Sequence, residues 1–167
     1  DMTDNLISEN SFLFNSSIDR LWLEYYKGKF QAKVGRQRIN WGQTLVWNPN
    51  DIFNTYSFFD FDYEEKPGSD AVRLQYFANA TSTVELAVKA NHEEKITAAA
   101  LYRFNKWQYD IQFIAGMLNQ QDYVAGAGFS GNLLKGGFSG EISYFHPEKN
   151  IQDTSGTMAA SLAYNYM

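Results

Sequence analysis

Hydrophobic and polar positions alternate with a period of two through almost every segment between turn signals, the mark of β-strands with unlike faces. In 83–91, Val84, Leu86, Val88 and Ala90 oppose Glu85, Lys89 and Asn91. In 107–117, Trp107, Tyr109, Ile111, Phe113, Ala115 and Met117 oppose Gln108, Asp110 and Gln112. Windows at 18–26, 29–35, 71–78, 96–104, 123–130, 138–144 and 158–166 behave in the same way, which predicts about nine strands. Where one window holds two charges, they agree in parity: Arg20 with Glu24, and Glu85 with Lys89. Residues 5–15 read equally as an extra strand or an ordered arm.

The links between these windows alternate short and long. Lys27-Gly28, 79–82, Asn105-Lys106 and 132–136 are short, whereas 39–70 and 146–156 are the longest of the intervening links. Short turns at one rim and longer loops at the other belong to up-and-down outer-membrane barrels. Aromatic residues gather near strand ends, among them Tyr25, Phe104, Trp107, Tyr109, Tyr144 and Tyr166, as expected where rings settle at the headgroup layers. The expected fold is all-β: an antiparallel up-and-down transmembrane β-barrel, or part of a larger one. Residues 1–167 would form a single barrel domain or barrel fragment with a long loop at about 39–70. An even strand number is the rule for single-chain bacterial barrels, so about nine strands imply either a tenth at 5–15 or an excised piece.

Composition narrows the function classes. A net charge of -5 gives no reason to expect nucleic acid as a partner. The absence of cysteine removes disulfides and thiolate metal sites. The apolar runs 96–102 and 113–118 are far shorter than the ~20 residues of a spanning helix, while a barrel hides its apolarity in alternation. The chain starts at Asp1 without a signal segment, consistent with a mature or excised form of an exported protein.

The richest candidate site is the segment from Arg36 to Asp70, long enough to suggest a functional loop and too aromatic for a disordered linker. Folded inward, it would bring Arg36, Arg38, Asp51, Asp60 and Asp62 to a constriction, where charged side chains select solutes. A purely structural alternative pairs Arg36 and Arg38 with Asp51 and Asp60 to pin the loop to the wall. The polar parity of the strands supplies the lumen-lining set: Arg20, Glu24, Lys33, Arg73, Glu85, Lys89, Arg103, Asp110 and Glu141. Both signs are present, so strong ion selectivity is not implied.

The stretch 34–54, VGRQRINWGQTLVWNPNDIFN, together with 61–68, resembles the Gly-Arg-Gln…Trp-Gly…Asn-Pro-Asp signature of porin-like outer-membrane barrels of the Bacteroidota. Gly35, Arg36, Gln37, Trp41, Gly42, Asn48, Pro49, Asp51 and Asn54 carry the match, within a resemblance running from about 18 to 77. It implies an outer-membrane protein of a Gram-negative bacterium, generally longer than this chain, and implies no catalytic group among these residues.

Other chemistry is sparse. Asp60, Asp62, Glu64 and Glu65 lack the spacing of a recognised calcium loop, so neither metal nor cofactor is expected. His92 and His146 adjoin loops without a convincing Ser or Asp partner, which argues against an enzyme. The expected function is passive passage of small polar solutes across the outer membrane, with lipid as the surrounding partner and a homo-oligomer or larger membrane complex as a further possibility. The alternatives are a non-conducting interaction or assembly barrel, and a soluble β-barrel binding an apolar ligand. The face assignment carries its own contrast: Leu86→Lys should block insertion, while Glu85→Lys should spare it.

Overall fold

The structure is a computed structural model that describes residues 3–9, 12–17, 20–44, 47–54, 69–90, 95–149 and 155–166. Among them every regular element is a strand. A first hairpin, β1 (Thr3–Glu9) and β2 (Phe12–Ser17), forms a two-stranded sheet of its own. The described parts of 5–15 therefore belong to β1 and β2, which pair with each other and not with the main sheet. The remaining strands are β3 (Leu21–Lys27), β4 (Phe30–Gln37), β5 (Ser69–Asn79), β6 (Ser82–Ala90), β7 (Ile96–Lys106), β8 (Tyr109–Leu118), β9 (Asp122–Leu133), β10 (Gly136–Pro147) and β11 (Thr157–Tyr166). They form one nine-stranded antiparallel sheet in strict chain order, each strand paired with its neighbours in sequence. The sheet is open: β3 and β11 are its edges, and no ladder joins them. No helix among the described residues is long and apolar enough to cross a membrane, which bears only on helices.

Register makes the two faces continuous from strand to strand. Leu74 pairs with Leu86, Leu86 with Ala100, Ala100 with Ala115, and Ala115 with Ala125. On the opposite face Glu24 pairs with Lys33, Lys33 with Arg73, Arg103 with Gln112, and Gln112 with Gly128. Because side chains alternate with period two, a slip of one residue would exchange the faces, so the pattern and the register enforce each other. The apolar face is the exposed one: Leu86 keeps 48% of its surface and Phe113 51%. On the polar face Glu85 keeps 3% and Glu141 4%.

The polar face is buried because the chain after β4 lies on it. Ile39, Trp41, Ile52 and Phe53 are buried with Ala71, Ala87, Ala99, Leu101, Ile114 and Val124 in one hydrophobic cluster. These six strand residues share the parity of Arg73, Glu85 and Gln112. The polar face is thus interrupted by a patch of small and aliphatic side chains, and the loop's large side chains fill it.

Candidate functional site

The site begins with the loop's own geometry. Asn48 Oδ1 accepts the Thr44 amide at 2.9 Å and the Thr44 hydroxyl at 2.9 Å, and the Asn48 side chain lies against Gly42. A Cβ on Gly42 would sit 2.4 Å from Asn48 Cγ, so glycine is needed for this approach. Backbone turns follow, from the Asp51 amide to Asn48 O at 3.0 Å and from the Asn54 amide to Asp51 O at 3.2 Å. The Asn54 side-chain amide closes the far end on Ile39 O and on Asp51 Oδ1, the latter at 3.0 Å. Trp41 and Phe53 meet edge to face with centroids 4.8 Å apart. The signature residues Trp41, Gly42, Asn48, Asp51 and Asn54 therefore fold the 39–54 segment on itself.

Wall side chains hold that segment, chief among them Glu85, Glu141, Gln112 and Lys89. Glu85 Oε1 accepts the Trp41 indole N–H at 2.7 Å and Arg73 Nε at 2.6 Å. Its Oε2 accepts the second Arg73 nitrogen at 2.8 Å and the Gln75 amide at 2.8 Å. Glu141 caps the loop from the other side. It accepts the backbone amides of Gln43 and of Thr44 (2.9 Å) on Oε1, and of Asn50 (3.0 Å) on Oε2. Gln112 donates to Trp41 O at 2.6 Å while accepting from Arg103 at 2.8 Å. Lys89 Nζ donates to Phe53 O at 2.6 Å. A buried carboxylate is costly unless its oxygens are satisfied, and here loop amides, an indole and a guanidinium satisfy them.

Asn50, fully buried, reaches the wall itself: its amide donates to Ala127 O at 3.0 Å and its Oδ1 accepts the Ser143 hydroxyl at 2.6 Å. It fits because β9 carries glycine below it. A Cβ on Gly126 would lie 2.5 Å from Asn50 Oδ1 and 2.9 Å from Ile142 O. One on Gly128 would lie 2.9 Å from Gln43 Oε1. Gly126→Val is accordingly expected to lift the loop from β9 and to destabilise its seating by about 1–3 kcal/mol, the usual cost of overpacking. Faster proteolysis of the 39–54 segment, with the strands still protected, is the readout.

The predicted site residues divide into three groups. Trp41, Asn48, Asp51 and Asn54 belong to the seated segment, and Arg73, Glu85, Lys89, Arg103 and Glu141 line the wall beneath or beside it. Arg36 and Arg38 precede the 39–54 segment. Arg36, next to the end of β4 and on the parity of Val34, holds Asp70 through two parallel bonds of 3.1 and 3.0 Å, stapling β4 to β5 at the loop's root. The register sets Arg36 opposite Asp70; Asp60, one of the partners expected for it, lies outside the described residues. Arg38 is exposed just beyond β4. Glu24 and Lys33 form an ion pair of 3.4 Å near the β3 edge, with Lys33 over the Trp22 ring. Arg20 is exposed before β3, and Asp110 is exposed near a short turn, where Asn105 donates to it at 2.9 Å. Asp60 and Asp62 lie outside the described residues.

Sequence reasoning missed the receiving half of the site: Ala71, Ala87, Ala99, Leu101, Ile114 and Val124. Their signal was present as apolar or small residues on a parity otherwise reserved for polar side chains. An open, mainly apolar hollow also lies against β8 to β11, lined by Ile111, Ala127, Phe129, Gly140, Ile142 and Leu162. No group of three or more metal-ligating side chains occurs among the described residues. No family model, curated protein or solved structure matches this chain.

Proposed function

We propose that this chain forms wall and constriction loop of a porin-like β-barrel in the outer membrane of a Gram-negative bacterium, giving small polar solutes passive passage along its polar face. One observation carries the reading: large apolar side chains stay exposed on one face from β3 to β11, while Glu85, Gln112, Glu141 and Lys89, which bind the loop, are on the other face. Hydrocarbon is a sufficient reason for such a face, since a Lys or Arg facing lipid at mid-membrane costs roughly 2–4 kcal/mol. The loop on the polar face then does what a constriction needs, narrowing the lumen with fixed side chains.

Closure follows from strand direction. Nine antiparallel strands leave β3 and β11 running the same way, and the β1–β2 hairpin adds an even number. An antiparallel seam therefore needs an odd number of further strands, from additional chain or from a neighbouring copy. In hydrocarbon the unpaired edge groups require such partners.

The face assignment is tested by a pair of substitutions. Leu86→Lys is expected to prevent insertion into lipid vesicles, whereas Ser130→Lys, on the polar parity beside Asp110, is expected to insert normally. Glu85→Lys is not a suitable control, because it would set a cation against Arg73 and remove the Trp41 anchor. Equal insertion of the Leu86 and Ser130 variants would refute the assignment. The pore reading is tested by single-channel recording in planar bilayers, where correctly inserted full-length protein should conduct; silence would end it.

One observation favours a second reading. Ile39, Trp41 and Asn50 are sealed against the wall with almost no exposed surface, as in a barrel closed by its own loop that serves as an interaction or assembly subunit. In that case conductance is absent and removal of 39–54 abolishes partner binding. A soluble calyx draws no support from the faces, since the loop covers the polar side.

A further inference from the structure

The four short turns share one rim and a chemistry the pore does not use. Lys27 and Lys29 flank Gly28 between β3 and β4, Lys106 adjoins the β7–β8 turn, and Lys135 lies in the β9–β10 turn. None of these turns, nor the one between β5 and β6, contains Asp or Glu. These turns are thus cationic even though the chain's total charge is negative.

Two of these turns also present large apolar side chains at their tips. Trp107 is 77% exposed and Leu134 92% exposed, both at positive φ, 54° and 55°. Hairpin turns of this kind favour Asn and Gly, and a bulky side chain there is uncommon. A turn built only to reverse the chain in water gains nothing from Trp or Leu at its tip. Lys106 Nζ lies 4.3 Å from the Trp107 ring centroid, joining charge and ring in one unit. Just inside the tips, Tyr109, Phe129 and Phe138 form a contiguous row of rings on the exposed apolar face, with centroids 5.1 to 6.2 Å apart. The apolar face therefore runs without interruption into tips that are apolar and cationic together.

We propose that this rim docks on anionic phospholipid headgroups, Trp107 and Leu134 entering the interface while Lys27, Lys29, Lys106 and Lys135 meet the lipid phosphates. The proposal rests on the membrane reading above. The charge complementarity selects lipid: lysines spread along a rim suit a diffuse layer of phosphates, to which each basic residue adds attraction that fades within a Debye length. Aromatic rings with a polar partner prefer the same layer. Docking would set the depth and direction in which the sheet inserts.

The test compares the full chain with a Lys106→Glu/Lys135→Glu variant and a Trp107→Ser/Leu134→Ser variant. Each is folded into vesicles of phosphatidylcholine alone or mixed with phosphatidylglycerol, and insertion is read as protease protection after flotation. Wild type should insert at least about tenfold faster into the anionic vesicles at low salt, as two or more lysines at an anionic surface imply. High salt and the charge-reversed variant should each remove that preference while insertion into phosphatidylcholine persists. The Trp107/Leu134 variant should insert more slowly into both. Insertion at equal rates into the two lipids, or an anionic preference retained by the charge-reversed variant, overturns the proposal and leaves the membrane reading standing; a rim recognising an acidic protein would give the first of these results. Failure to insert into either lipid overturns both.

Discussion

Trp41→Ala is expected to free the 39–54 segment from the sheet. The indole is almost wholly buried, it packs edge to face on Phe53, and it supplies the hydrogen bond that ties the loop to Glu85. Truncating a buried Trp costs about 3–5 kcal/mol, because the lost transfer energy is joined by the cavity left behind. The remaining tethers to Glu141 and Lys89 hold backbone atoms of the loop and cannot fill the hollow above Ala87 and Ala99. The loss should therefore fall on the loop and spare the strand ladders. Hydrogen exchange checks this: amides of 39–54 should exchange orders of magnitude faster while those of β6 to β8 keep their protection. In an inserted pore the same change should raise single-channel conductance. Unchanged protection of the loop would mean that its seating does not depend on the indole.

Glu85→Ala should have an effect of similar size by a different route. One carboxylate joins a loop residue, Trp41, to two wall residues of β5, Arg73 and Gln75. Removing one partner of a buried ion pair commonly costs about 3–5 kcal/mol, since the remaining charge is left uncompensated. Arg73 retains some solvent contact, which places the expected loss toward the lower end of that range. Glu85→Gln preserves the shape and an acceptor for the indole but removes the charge facing Arg73, so it should be damaged less. A double-mutant cycle with Trp41→Phe separates the indole bond from the guanidinium pair: a coupling energy near zero would show that Glu85 does not anchor the loop. Chemical denaturation followed by loop proteolysis distinguishes loss of seating from loss of the sheet.

Much of the architecture was legible because alternation is a local property. The window 83–91 predicts β6, found at Ser82–Ala90, and the shared face of Leu86 and Phe113 follows from parity and register. The short turns were legible because glycine, asparagine and lysine break the alternation there. Residues 5–15 were ambiguous because a short alternating run fits a free hairpin as well as a wall strand, and only pairing decides. The start of the loop was placed too early because it was inferred from where alternation fades, while the ladder continues to Gln37 and sets Arg36 against Asp70.

The site was half legible. Trp41, Asn48, Asp51 and Asn54 stand out in the sequence as a polar and aromatic run, but what they bind is not local. Trp41 reaches Glu85, Gln112 reaches Trp41, and Asn50 reaches Glu141 and Ser143, contacts between residues far apart in sequence. Gly126 and Gly128 read as relief of crowding on a wall; the structure identifies the crowding groups as Asn50 and Gln43.

The sequence by itself determined the strands, their order in a meander and which parity is apolar, because each depends on neighbours two residues or one turn away. Only the tertiary structure decided that the polar face carries an apolar seat, that Glu85 and Glu141 hold the loop, and that the nine-stranded sheet is open at β3 and β11. Those facts depend on how distant side chains fill a shared volume and satisfy one another's hydrogen bonds, and a linear pattern contains no distances.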